Sequence, residues 1–114
     1  MSYNENLSHR VRIYLNVTPN IYVQEKKMFG GLAFLVNGKM CINVGADKLM
    51  CRFDPTQTDY VAQKTGFLPM IMQGKELKGY CYVEPTGFTS KEDLDFWLKL
   101  CLDFNERAKA SIKK

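Results

Sequence analysis

The chain has 114 residues, 46% of them hydrophobic and 25% charged, with a formal net charge of +4. That is one domain's worth of sequence with ordinary core-forming composition, which excludes wholesale disorder and a division into two separate cores. The longest basic runs are the pairs Lys26-Lys27 and Lys113-Lys114, so the mild basic excess reads as solvated surface rather than a dedicated nucleic-acid face.

The opening Met1-Ser2-Tyr3-Asn4-Glu5-Asn6 is polar and has no signal-peptide core, and no apolar run nears the roughly 20 residues that span a bilayer. A cytoplasmic location without membrane contact is expected. The first element reads as a helix over about 4–16, because Leu7, Val11, Tyr14 and Leu15 fall at helical spacing. Ser2 and Glu5 fit a capping box, and Thr18-Pro19 ends the helix because the residue before proline avoids helical geometry.

Strand candidates follow. Residues 22–29 alternate loosely, and Gly30-Gly31 bends the chain. Leu32-Ala33-Phe34-Leu35-Val36 is apolar on both faces, as in an interior strand. Asn37-Gly38 is the strongest turn signal, since a type I′ loop needs positive φ at both positions. Residues 39–45 return as its partner, and a tight turn at Ala46-Asp47 leads into 48–53. In that register Leu35 faces Met40, Ala33 faces Ile42, Val44 faces Leu49 and Ile42 faces Cys51. Alternation then puts Met40, Ile42, Val44, Leu49, Cys51 and Phe53 on one face and Cys41 on the other, so Cys41 and Cys51 are not expected to bond.

Asp54-Pro55 reads as the N-cap and first residue of a short helix over 55–64, stopped by Gly66. Two more strands are expected near 69–73 and 78–84, joined around Gly74, then a loop at Pro85-Thr86-Gly87. The last helix runs over about 90–110. Thr89 with Glu92 and Ser90 with Asp93 are its capping pairs, with acidic residues in its first turn and basic ones in its last. Leu94, Trp97, Leu98, Cys101, Phe104 and Ala108 form its buried stripe.

Chemistry finds little foothold. Cys41, Cys51, Cys81 and Cys101 make no CxxC pair, and the sole histidine, His9, is distant from all of them in sequence. Buried free thiols are expected rather than a zinc site or a disulfide framework. His9 stands between polar neighbours, off the helical stripe, with no nucleophile placed near it by spacing. Met28-Phe29-Gly30-Gly31-Leu32 lacks the phosphate-loop form and enters a strand, and the carboxylates are scattered without a pair. No catalytic residue, metal or cofactor is expected. Met70 and Met72 alternate on one strand and Tyr80 and Tyr82 on the next. Core beneath a helix is the ordinary reading of that pattern, and an adaptable binding face is the alternative. Lys78-Gly79-Tyr80-Cys81-Tyr82-Val83 echoes an RNA-recognition strand but lacks its Gly-aromatic spacing.

Whole segments resemble the N-terminal domain of the TfoX/Sxy family. They are Lys27-Met28-Phe29-Gly30-Gly31-Leu32-Ala33-Phe34, Asn37-Gly38-Lys39-Met40, Leu49-Met50-Cys51-Arg52-Phe53-Asp54-Pro55, and the stretch from Pro69 to Tyr80. The final helix with Leu94, Trp97 and Leu100 continues the match, in the family's order, over about residues 20–105. The resemblance implies an α+β domain with an antiparallel sheet and packed helices, and a link to natural competence as a transcriptional co-regulator. It carries over no catalytic residue. Longer members add a C-terminal domain resembling helix-hairpin-helix DNA binders, and this chain stops before one could fit.

The expectation is a single α+β domain over 1–114: an antiparallel meander of five to six strands packed against N-terminal and C-terminal helices. It is expected to act without catalysis or cofactor, through contacts with a protein partner. The alternative is weak direct nucleic-acid binding by Lys26, Lys27, Lys39, Arg52, Lys75 and Lys78, which would fall steeply as salt rises. A small-molecule-binding or enzymatic domain with an unrecognised pocket is the third reading.

Overall fold

The computed structural model describes residues 3–28 and 30–106. The first helix, α1, spans Glu5–Asn16. Its N-cap is Asn4, whose Oδ1 accepts from the Leu7 N–H at 2.9 Å, which satisfies one of the free amides at the helix start. Ser2, proposed above as the cap, lies outside the described residues. Leu7, Val11 and Leu15 bury the expected stripe, with Ser8 beside them, while Tyr14 is half-buried.

Four strands follow in antiparallel succession: β1 (Val23–Met28), β2 (Gly31–Val36), β3 (Lys39–Val44) and β4 (Leu49–Arg52). Asn37 and Gly38 have φ of 54° and 83°, the paired left-handed geometry that a two-residue type I′ loop requires. Gly31 cannot carry a side chain, because a Cβ there would overlap the Val44 carbonyl and Asn43 Oδ1 of β3.

After β4 the expected ten-residue helix is much shorter. Asp54 does cap it, accepting from Thr56 N at 3.0 Å, but Pro55–Gln57 forms a 3₁₀ turn and only α2 (Thr58–Val61) is α-helical. The hairpin β5 (Phe67–Met72) and β6 (Lys75–Val83) turns through Gln73-Gly74, with φ of 53° and 80°. The sheet order is β1-β2-β3-β4-β6-β5. The last hairpin therefore enters with its second strand against β4, and β5 becomes an edge. The expected α+β architecture, a six-stranded antiparallel sheet with helices, is borne out.

The closing helix, α3, spans Lys91–Asn105, and of the two candidate caps Ser90 serves, its Oγ accepting from Asp93 N at 3.0 Å. Glu92 and Asp93 occupy the first turn as expected, but the described last turn holds no basic residue. Lys39 of β3 supplies the charge instead, its Nζ donating to the carbonyls of Asn105 and Glu106 at 2.9 and 3.3 Å. A cation there complements the negative end of the helix dipole. Ala108 lies outside the described residues.

One departure in register reorders the core. Leu35 faces Met40 as expected, but the ladder then shifts, so Phe34 faces Ile42 and Ala33 faces Asn43. The extra residue on β3 is Cys41, and a bulge lets consecutive residues turn toward one face. Cys41 and Ile42 both join the core under the helices, while Met40 sits in a separate cluster with Ala33 and Leu35. The expected grouping of Met40 with Ile42, and of Cys41 opposite Cys51, is thus corrected. Val44 does face Leu49, and Ile42 does face Cys51.

The bulge brings all four cysteines into one layer between the sheet and α3. All four are free and at most 1% exposed. Cys101 is close enough to Cys41 and Cys51, and Cys51 to Cys81, for each to influence its neighbour's titration. Contact with Cys101 and then burial push the Cys41 thiol well up, and burial does the same first for Cys51 and Cys101. The thiolate is the reactive form, so these sulfurs behave as small apolar fillers. In native protein at neutral pH, iodoacetamide should label none of them faster than the chain unfolds. Labelling of any one within minutes would show that this layer is open.

Candidate binding face

The register sorts the sheet's side chains to two faces. On one, Phe34, Val36, Ile42, Val44, Leu49, Cys51, Phe53, Cys81 and Val83 pack under Leu7, Val11 and Leu15 of α1 and Leu94, Trp97, Leu98 and Cys101 of α3. Among the described residues, no helix packs on the other face. Ala33, Leu35 and Met40 are nonetheless almost fully buried there, because Met28, Met50 and Tyr80 lie across them. Tyr80 and Tyr82 stand opposite Arg52 and Met50 on this face. The reading of the Met and Tyr alternation as core beneath a helix is therefore corrected: its methionines and tyrosines cover the open side.

The β5–β6 hairpin completes the surface. Between the pairs Pro69–Cys81 and Ile71–Glu76, Met70 alone on β5 is matched by residues 77–80 of β6. Gly79 sits in this bulge at φ +86°, and a Cβ there would press on the Phe53 carbonyl and the Pro55 ring at 3.1 Å. Such a bulge bends its strand. Met70, Ile71, Met72 and Leu77 then join Met40, Met50, Tyr80 and Tyr82 around an apolar groove of about 380 Å³. Ile71 and Met72 are 56% and 58% exposed. Of the six methionines in the chain, four line this groove and Met28 packs further along the same face. Met40, Met50, Ile71 and Leu77 are members that the sequence reading missed. The high methionine count was the available signal.

The six basic residues proposed from sequence are not brought together. Lys26 pairs with Ala33 and so shares the open face, whereas Lys27 pairs with Leu32 on the helix side. Lys39 is engaged with the end of α3. Arg52 places its guanidinium carbon 5.8 Å from the Tyr80 ring centroid and 6.0 Å from that of Phe104. Lys75 pairs with Met72 beside the groove, and Lys78 falls in the bulged stretch of β6. On the helix side, Arg12 and Glu25 form a bidentate pair at 2.6 and 2.9 Å. That contact lowers the Glu25 carboxyl and raises the Arg12 guanidinium, and it ties β1 to α1.

The groove offers thioethers, aliphatic chains and two phenol rings. Methionine is unbranched and polarizable, and it adapts its shape to varied apolar partners. Nothing in this set is a nucleophile beside a base. His9 is exposed on α1, and among the described residues no group of three or more His, Cys, Asp or Glu side chains is placed to hold a metal ion. No described helix is long and apolar enough to cross a membrane. A second apolar surface lies between α1 and α3, where Ile13 and Val17 are exposed beside Tyr14 and Leu94.

In comparison with known proteins, the family described as the TfoX N-terminal domain matches residues 17–105. No curated protein and no solved structure matches the chain.

Proposed function

The chain belongs to the TfoX N-terminal domain family, and from that premise we propose that it is a non-catalytic binding module that holds a partner protein against the methionine-rich face of its sheet. The supporting observation is the groove itself: an uncovered sheet face lined by four methionines and two tyrosines, with side chains more than half exposed at its rim. Exposed contiguous apolar surface on a small domain marks an interaction site. Four free thiols fit work in a reducing compartment such as the cytoplasm. A regulatory role, in the manner of a transcriptional co-regulator in competence, is the biological setting we place this module in. Protein contact is preferred to nucleic acid because Lys27 and Lys39 are turned to the helix side, which leaves no continuous basic track among the described residues.

A photo-crosslinking residue placed at Met72 in the native host tests this reading. An adduct of discrete mass should form from position 72 and not from Val17, which is 77% exposed on the opposite side. Adducts from Val17 alone would move the working surface to the helices.

A further inference from the structure

Resting on the reading of the open face as the working surface, we propose that its occupant is an acidic amphipathic segment of a partner protein, not a second copy of this chain. The argument is one of charge. Lys26 and Lys75 are set on the sheet face that holds the groove by their pairing with Ala33 and Met72, while Arg52, paired with Tyr80, has its guanidinium engaged with the Tyr80 and Phe104 rings. Against them stands Glu76, paired with Ile71 on the hairpin. At the far rim Asp47 is already joined to Lys48 at 3.3 Å. The face is thus apolar in its groove, with a lysine on the β1 edge and another on the β5–β6 hairpin.

A two-fold contact would press this patch onto its own copy. Cations from both copies would then share one low-dielectric interface, and like-charge juxtaposition opposes association. A segment with apolar side chains on one side and Asp or Glu flanking them answers both properties. The apolar side chains fill the groove, the carboxylates meet the lysines, and attraction between opposite charges speeds the encounter.

The test is selection of 16-residue peptides from an unbiased displayed library against the whole chain. Enriched peptides should combine spaced apolar residues with an excess of Asp and Glu. Their affinity should fall about tenfold or more on Lys26→Glu/Lys75→Glu, and by a similar factor on Ile71→Glu or Met72→Glu. Both apolar positions are more than half exposed, so these variants keep the fold, and unchanged melting checks it. Enriched peptides without an acidic excess, indifferent to the lysine reversals but lost with Met72→Glu, would overturn the inference and leave the working surface intact. Peptides indifferent to Ile71→Glu and Met72→Glu would overturn both. Dimers in sedimentation that Met72→Glu dissolves would assign the face to a second copy. Salt-sensitive binding of a uridine oligonucleotide that displaces the peptides would assign it to nucleic acid.

Discussion

Replacing Trp97 with alanine should lower the melting temperature by on the order of 15 °C, the largest loss expected from any single side chain in the core. Trp97 is the only tryptophan, it is 2% exposed, and it lies at the centre of the layer between α3 and the sheet. Its Nε1 donates to the Gly87 carbonyl at 3.0 Å, which fastens α3 to the loop after β6. Phe96 packs edge-on against it with centroids 5.1 Å apart. Truncation of a buried Trp to Ala costs about 3–5 kcal/mol, against a total stability of about 5–15 kcal/mol for a domain. At about 4 °C per kcal/mol the shift follows. Trp97→Phe separates the two contributions. It keeps most of the apolar area and leaves the Gly87 carbonyl without its donor, so a loss of about 1–3 kcal/mol is expected. Equal losses for the two variants in thermal melts followed by circular dichroism would mean that the hydrogen bond, not packing, holds the helix.

The second large effect is with pH. The thiols of Cys41, Cys51 and Cys101 titrate higher in the folded protein than in the unfolded chain. Below the ordinary thiol value of about 8.5 both states are protonated and the contribution to stability is complete. Above it the unfolded chain loses protons that the folded one keeps, so stability falls as pH rises. Each withheld thiol costs about 1.4 kcal/mol per pH unit, and the three together about 4 kcal/mol per unit. Tyr14, raised chiefly by burial, adds the same sign at higher pH. Denaturation at a series of pH values should therefore show stability level through neutrality and dropping steeply above about pH 9. Cys101→Ala should make that decline shallower by about a third or more, since Cys101 is also the neighbour that raises Cys41. An unchanged slope in this variant would show that other groups drive the alkaline loss.

The elements that were legible in the sequence are those whose signals are local. Asn37-Gly38 announced its loop because two left-handed residues in a row leave few choices. The α3 stripe was legible because a 3.6-residue period repeats over four turns, and the acidic first turn marked its start. What stayed hidden depends on pairings far apart in the chain. A period-2 reading assumes an unbroken ladder, and the extra residue at Cys41 inverts the faces of everything before it on β3. Met40 moved out of the core for that reason. The binding face was half legible: the alternation of Met70 with Met72 and of Tyr80 with Tyr82 proposed an adaptable surface. Its other half, Met40 and Met50, is joined to it because β6 rather than β5 lies against β4, and no local pattern reports strand order. Gln73-Gly74 was located only as a joint around its glycine, since glutamine at φ 53° is a rarer occupant of a left-handed position than asparagine.

The most direct test of an uncovered methionine face is the relaxation of methionine methyl groups by a soluble paramagnetic agent. In protein labelled at the methionine methyls and at leucine methyls, the Met72 signal should broaden strongly and Met50 to an intermediate degree. Leu49 and Leu98, buried under the helices, should stay sharp. Met72 and Met50 signals as protected as those two leucines would mean that the face is sealed, and would contradict the account, whereas Met40 and Met70, 4% and 6% exposed, should stay sharp in either case.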